Sequence, residues 1–121
     1  MSALIRQRSA TSLEDVGAQL LEAFESVRGA VTEGEPSVIV VNAPDLIGQG
    51  TLEDAAVATG LLGLMRAITF EGASKGWRVN VVAVDRDADP PVEVLESAMT
   101  TPGLMGQVLH VAKGMIGKVV P

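Results

Sequence analysis

"TLEDAAVATGLLGLMRAITFEGASKGWRVNVVAVD", residues 51–85, runs a long helix straight into a strand, and that join decides the fold. Thr51 and Asp54 have capping-box spacing, which predicts a helix starting there and running over 51–75. Residues 78–84, RVNVVAV, predict the strand that follows. Upstream, 37–43, SVIVVNA, is the clearest strand. Its apolar residues 38–41 do not alternate with polar ones, as expected of a strand covered on both faces, and Pro44 stops it.

The pattern repeats outward. Residues 11–30 predict a helix, with Thr11 and Glu14 at capping-box spacing. Leu13, Val16, Leu20, Phe24, Val27 and Val31 follow at steps of three and four, forming one apolar stripe. Gly29 and the EGEP at 33–36 supply its stop. ALIRQ, 3–7, is a short strand in this scheme, although Arg6 is unwelcome in a fully buried one. DRDADPP, 85–91, is a loop, 92–100 a short helix and QVLHV, 107–111, a last strand. The order β-α-β-α-β-α-β implies about four parallel strands with helices on both faces. This is a partial Rossmann-like, three-layer α/β fold, and no linker divides residues 1–121.

Composition narrows the function classes. The 121 residues suit one small domain. A formal charge of -6 argues against nucleic acid, whose phosphates this field repels. There is no Cys, so disulfides and thiolate chemistry are excluded, and zinc would have only His110 and carboxylates. No apolar stretch reaches membrane-span length and residues 1–10 lack a signal-peptide core, so the expected location is cytoplasmic. With Phe24, Phe70 and Trp77 its only aromatics, the core must be aliphatic.

Three pieces together resemble the second half of a short-chain dehydrogenase/reductase. VIVVNAPDLIG, 38–48, resembles the family's strand ending in Asn-x-Ser-Ser. ATGLLGLMRAITFEGASKGWRVNVVAVD, 58–85, resembles its long helix and following strand, and GQVLHVAKG, 106–114, its closing motif. Residues 1–37 fit only by pattern. The resemblance implies a single truncated domain over 1–121 that lacks the nucleotide-binding half. It also implies no bound cofactor, because the glycine-rich turn of the family's first strand has no counterpart.

Carried over residue by residue, the family's active site is lost. Its serine falls on Asp45, its tyrosine near Asp54, its lysine near Ala58 and its helix-borne asparagine near Gln19. The chain contains no tyrosine at all. An aspartate at neutral pH accepts hydrogen bonds where the family's phenol donates one, and it repels a developing oxyanion. Asp45 and Asp54 are therefore weak catalytic candidates, and no cofactor-binding or metal-binding residue is assigned.

Other features have blander readings beside the sharp ones. GQG at 48–50 is glycine-rich and enters a helix but lacks the G-x-G-x-x-G spacing, so an ordinary loop is preferred to a phosphate cradle. Asp45, Asp54, Asp85, Asp87 and Asp89 fall at the carboxyl ends of strands, where a cation site competes with a solvated acidic loop. His110, the single histidine, reads as packed or edge-exposed, with no Ser or Cys signature to make it a base. Ala56, Gly60, Gly63 and Ala67 line the second helix with small side chains. In the resembled family the two long helices form the main dimer interface. The interface expected here therefore comprises Leu20, Phe24, Val27, Ala56, Gly60, Gly63 and Ala67; close packing on the chain's own sheet is the simpler alternative.

These readings converge on a non-catalytic subunit. It is expected to form a homodimer, or a heteromer with a full-length short-chain dehydrogenase/reductase. The alternatives are a small α/β isomerase, hydrolase or lyase using Asp45 or Asp54, or a ligand-binding module. In the family fold the first strand seen here has a neighbour on its outer side, so its edge is expected to need cover.

Overall fold

The computed structural model describes residues 2–113. Its elements are β1 (Ala3–Arg6), α1 (Leu13–Thr32), β2 (Ser37–Asn42), α2 (Ala43–Leu46), α3 (Leu52–Gly72), a 3-10 turn (Ala73–Lys75), β3 (Val79–Val84), α4 (Val92–Thr100) and β4 (Val108–Val111). The four strands form one sheet in the order β1-β2-β3-β4, each parallel to its neighbour. The expected Rossmann-like α/β architecture is the one observed.

β2 and β3 are buried along their whole length. Because side chains alternate across a strand, each contributes to two cores. Ile39, Val41, Val79, Val81 and Ala83 pack under α1 and α3 with Val27, Leu61 and Met65. Val38, Val40, Val82 and Val84 pack under α4 with Ala98. Double cover explains the unbroken apolar run 38–41 of β2. One polar residue interrupts the second face: Asn80, fully buried, donates to the Ala98 and Leu104 carbonyls and accepts from the Gln107 amide. It thereby ties β3 to α4 and to the entry of β4.

The helix boundaries differ from the sequence reading in instructive ways. Ser12, one residue later than expected, caps α1 by accepting from the Asp15 amide at 3.1 Å. Asp15 in turn accepts from the Thr11 amide and hydroxyl, both at 3.0 Å, so the reciprocal pair is shifted by one. These bonds pull the Asp15 carboxyl below its usual value, chiefly through the Thr11 amide. Gly29 does not end α1, which continues to Thr32. A helical glycine costs about 1 kcal/mol, and burial of Ala30 and Val31 outweighs that. The turn falls instead at Gly34, with φ at +80°. At α3 the expected Thr51 cap is present, accepting from the Asp54 amide at 3.1 Å. That helix ends at Gly72 rather than 75, where an added Cβ would lie 2.3 Å from the Trp77 ring. Pro44 ends β2 as expected, but by starting the short α2.

Among the described residues no helix is long and apolar enough to cross a membrane.

Candidate functional site

Open parallel sheets bind ligands beyond the carboxyl ends of their strands. Here that position is occupied by the chain's own polar side chains. Gln7 follows β1, Asn42 ends β2, Asp45 lies on α2 and Arg86 follows β3. Asp45 is 0% exposed. Arg86 grips it with both terminal nitrogens, Nη2 to Oδ1 at 2.7 Å and Nη1 to Oδ2 at 3.2 Å. Gln7 Nε2 donates to Oδ2 at 2.9 Å, and Asn42 Nδ2 does so at 3.4 Å. The same Gln7 accepts from the Asn42 amide at 2.7 Å and donates to the Asp54 carbonyl at 3.3 Å. Its burial follows from this, since the buried amide is fully used.

The ion pair has a physical rationale. A carboxylate taken wholly out of water needs a charged partner and saturated oxygens, and a bidentate guanidinium supplies both. The hydrogen bond to Asp45 raises the Arg86 pKa further, against a smaller opposing effect of burial. The loop over the pair is shaped to it. A Cβ on Gly50 would sit 2.5 Å from Asp45 Oδ1 and 3.0 Å from Arg86 Nη2. Arg86 Nη2 also donates to the Gln49 carbonyl at 3.3 Å. The GQG glycines thus admit the chain's own charges, with Gly48 turning at φ +73°.

Asp54, the second weak catalytic candidate, is 8% exposed and its Oδ1 accepts from the Ala10 amide at 2.9 Å. It anchors the segment after β1 to the start of α3. Ala58 is fully buried. Gln19 reaches not the cleft but Arg8, accepting from its amide at 2.9 Å and donating to its carbonyl at 2.7 Å. The other aspartates do not join Asp45. Asp87 and Asp89 are exposed, and Asp85 Oδ1 accepts from the Lys113 amide at 3.2 Å. Among the described residues no three His, Asp or Glu side chains gather as a metal site. His110 lies on the edge strand β4, its Nδ1 buried without a hydrogen-bond partner among the described residues. Desolvation holds its pKa below the usual histidine value.

The interface candidates divide. Val27 is fully buried in the chain's own core, and Ala56 and Leu20 pack partly against it. Gly60 is needed within the chain, because a Cβ there would come within 2.7 Å of Leu20 Cδ2. This is α1–α3 packing, the simpler of the two readings of that glycine. Phe24, at 43%, is exposed, and Gly63 and Ala67 are exposed as well. Arg28 stacks near the Phe24 ring at 5.9 Å and pairs with Glu71 at 3.3 Å, closing one end of the helix pair.

Arg86 and Gln7 were not singled out from the sequence. Arg86 stands within an acidic run that reads as solvated. The available signal was its position: a cation directly after a fully apolar strand, at the ligand end of the sheet.

No family model matches the chain, and no curated protein matches its sequence. The fold itself defines a small Rossmann-like α/β domain with four parallel strands.

Proposed function

We propose that this chain is a non-catalytic, short-chain dehydrogenase/reductase-like subunit that associates through the outer face of α1 and α3. Its partner is a second copy or a complete, active relative. The observation that carries the reading is the apolar surface left on that helix pair. Leu21 is 59% exposed, Phe24 43% and Phe70 89%. Leu21 and Phe24 are three residues apart, hence neighbours on one face. Gly63 and Ala67, four apart on α3, keep the adjoining surface low, with nothing within 4 Å of a Cβ placed on Gly63. Fully burying a Leu or Phe side chain stabilises by roughly 1.5–3 kcal/mol, so a partner has something to gain there. The enzymatic alternative has weaker support. Asp45 is inaccessible and paired, and Asp54 is held by a backbone amide.

Sedimentation equilibrium of the purified chain, with native mass spectrometry of the protein gently captured from its own cells, tests the reading. A dimer or a defined complex that dissociates in Leu21→Glu and Phe24→Glu variants is expected. A monomer at every concentration with no bound protein would remove the proposal, as would a complex indifferent to both substitutions.

A further inference from the structure

The outer edge of β1 has no neighbouring strand among the described residues. Its inward side is defined by two bonds to the region of β2, from the Ala3 amide to the Pro36 carbonyl and from the Gln7 amide to the Val40 carbonyl. Backbone groups alternate sides along a strand. The N–H and C=O of Leu4, Arg6 and Arg8 therefore point outward. At Arg8 both are already taken by the Gln19 side-chain amide, at 2.9 and 2.7 Å. A primary amide that bonds both the N–H and the C=O of one residue does what the facing residue of an antiparallel strand does with its own N–H and C=O. Among the described residues the edge is thus closed at Arg8 and open at Leu4 and Arg6. Beside the open pairs runs a groove of about 600 Å³ between β1 and α1, lined by Leu4, Arg6, Gln19, Glu22 and Ser26 among others.

Arg6 adds a charge requirement. Its Nη1 is buried without a hydrogen-bond partner among the described residues. Among the same residues its Nη2 reaches only the Asn42 side-chain oxygen, at 3.5 Å. Arg8, Arg28 and Arg86, by contrast, each have a carboxylate. A second copy does not answer this need. Two-fold pairing of β1 edges would set each Arg6 opposite a Leu4, and would bring Glu22 and Glu25, which line the groove, toward their own equivalents.

We infer that the β1 edge takes an extended segment of a different polypeptide as a fifth strand, bonded to Leu4 and Arg6 and carrying a carboxylate for the Arg6 guanidinium. Strand addition of this kind takes affinity from the main chain and selectivity from the side chains beside it. The surface is separate from the α1–α3 face and stands or falls without it.

Two terminally blocked peptides of about six residues, a usual strand length, serve as probes. Both alternate threonine and valine; one carries a central glutamate and the other a central lysine. Amide NMR of the intact chain reads the site directly. The glutamate peptide is expected to shift the Leu4 and Arg6 amides and slow their exchange. It should bind about tenfold or more tighter than the lysine peptide, the usual worth of a charge-assisted hydrogen bond. Arg6→Gln should erase that preference. Leu4→Pro removes an outward donor without touching the β2 ladder and should abolish binding, while Phe24→Glu should leave it unchanged. Equal binding of the two peptides would overturn the inference. So would unaltered Leu4 and Arg6 amides, or binding retained in Leu4→Pro. Amides already protected in a dimer of the free chain would show that a second copy covers the edge, which also overturns it.

Discussion

Replacing Arg86 by alanine tests whether the carboxyl end of the sheet is held shut by its own charges. Asp45 is 0% exposed with Arg86 in place, so removing the guanidinium takes the charged partner from a carboxylate that the fold buries. Breaking a fully buried pair from one side costs about 3–5 kcal/mol. Two features reduce the figure here: the Arg86 side chain is 37% exposed, and Asp45 retains bonds from Gln7 and Asn42. We expect Arg86→Ala to destabilise by about 2–3 kcal/mol at neutral pH. For 121 residues, an unfolding entropy of about 2.1 cal/mol/K per residue makes 1 kcal/mol worth about 4 °C, so Tm should fall by roughly 8–12 °C. Urea unfolding followed by circular dichroism measures the change, with an unchanged m-value confirming that the folded state is intact. A double-mutant cycle with Asp45→Asn isolates the pair, and the double variant should lose less than the sum of the singles. A loss under about 0.5 kcal/mol for Arg86→Ala, the range of ordinary surface substitutions, would refute the reasoning and reopen Asp45 as an available group.

Other substitutions have equally definite outcomes. Gly72→Ala places a Cβ 2.3–2.5 Å from three Trp77 atoms, and overpacking of this kind should cost about 1–3 kcal/mol, read from urea curves and from the fluorescence of the single tryptophan. Asp15 has its folded pKa lowered by the Thr11 amide, so its contribution to stability is full above the unfolded carboxylate value and lost as pH falls through the folded one. Asp15→Asn should therefore be less stable than the parent at pH 7, and the difference should shrink as pH falls through the folded value. His110 is depressed by desolvation, so the unfolded chain takes up the proton first. Stability should decline as pH drops through the unfolded histidine value toward the lower folded one, and His110→Gln should flatten that part of the profile.

Much of the fold was legible because it depends on local periodicity. Residues 38–41 read as a strand covered on both faces because so apolar a run needs cover on each side, and 78–84 read as the strand that follows the second long helix. The capping residues expected at Thr11 and Thr51 marked the starts of both long helices to within two residues. Helix ends were less legible. Gly29 and Gly72 are the same residue type in the same kind of pattern, yet only the second ends a helix. What differs is burial of the following turn in one case and the approach of Trp77 in the other. The candidate site was less legible still. Asp45 was marked by position, but its partners Gln7 and Arg86 are 38 and 41 residues away.

From the sequence alone came the alternation of helices and strands, the aliphatic two-faced core and the absence of any tyrosine. These follow from residue type and spacing, which act over a few residues. Only the tertiary structure decided that Asp45 is buried beneath Arg86, that Gly60 accommodates Leu20, that Val27 faces inward while Phe24 does not, and that Gln19 closes the β1 edge at Arg8. Each of those depends on which distant segments the parallel sheet brings side by side, and on the cost of leaving a charge or a backbone group without a partner once water is excluded.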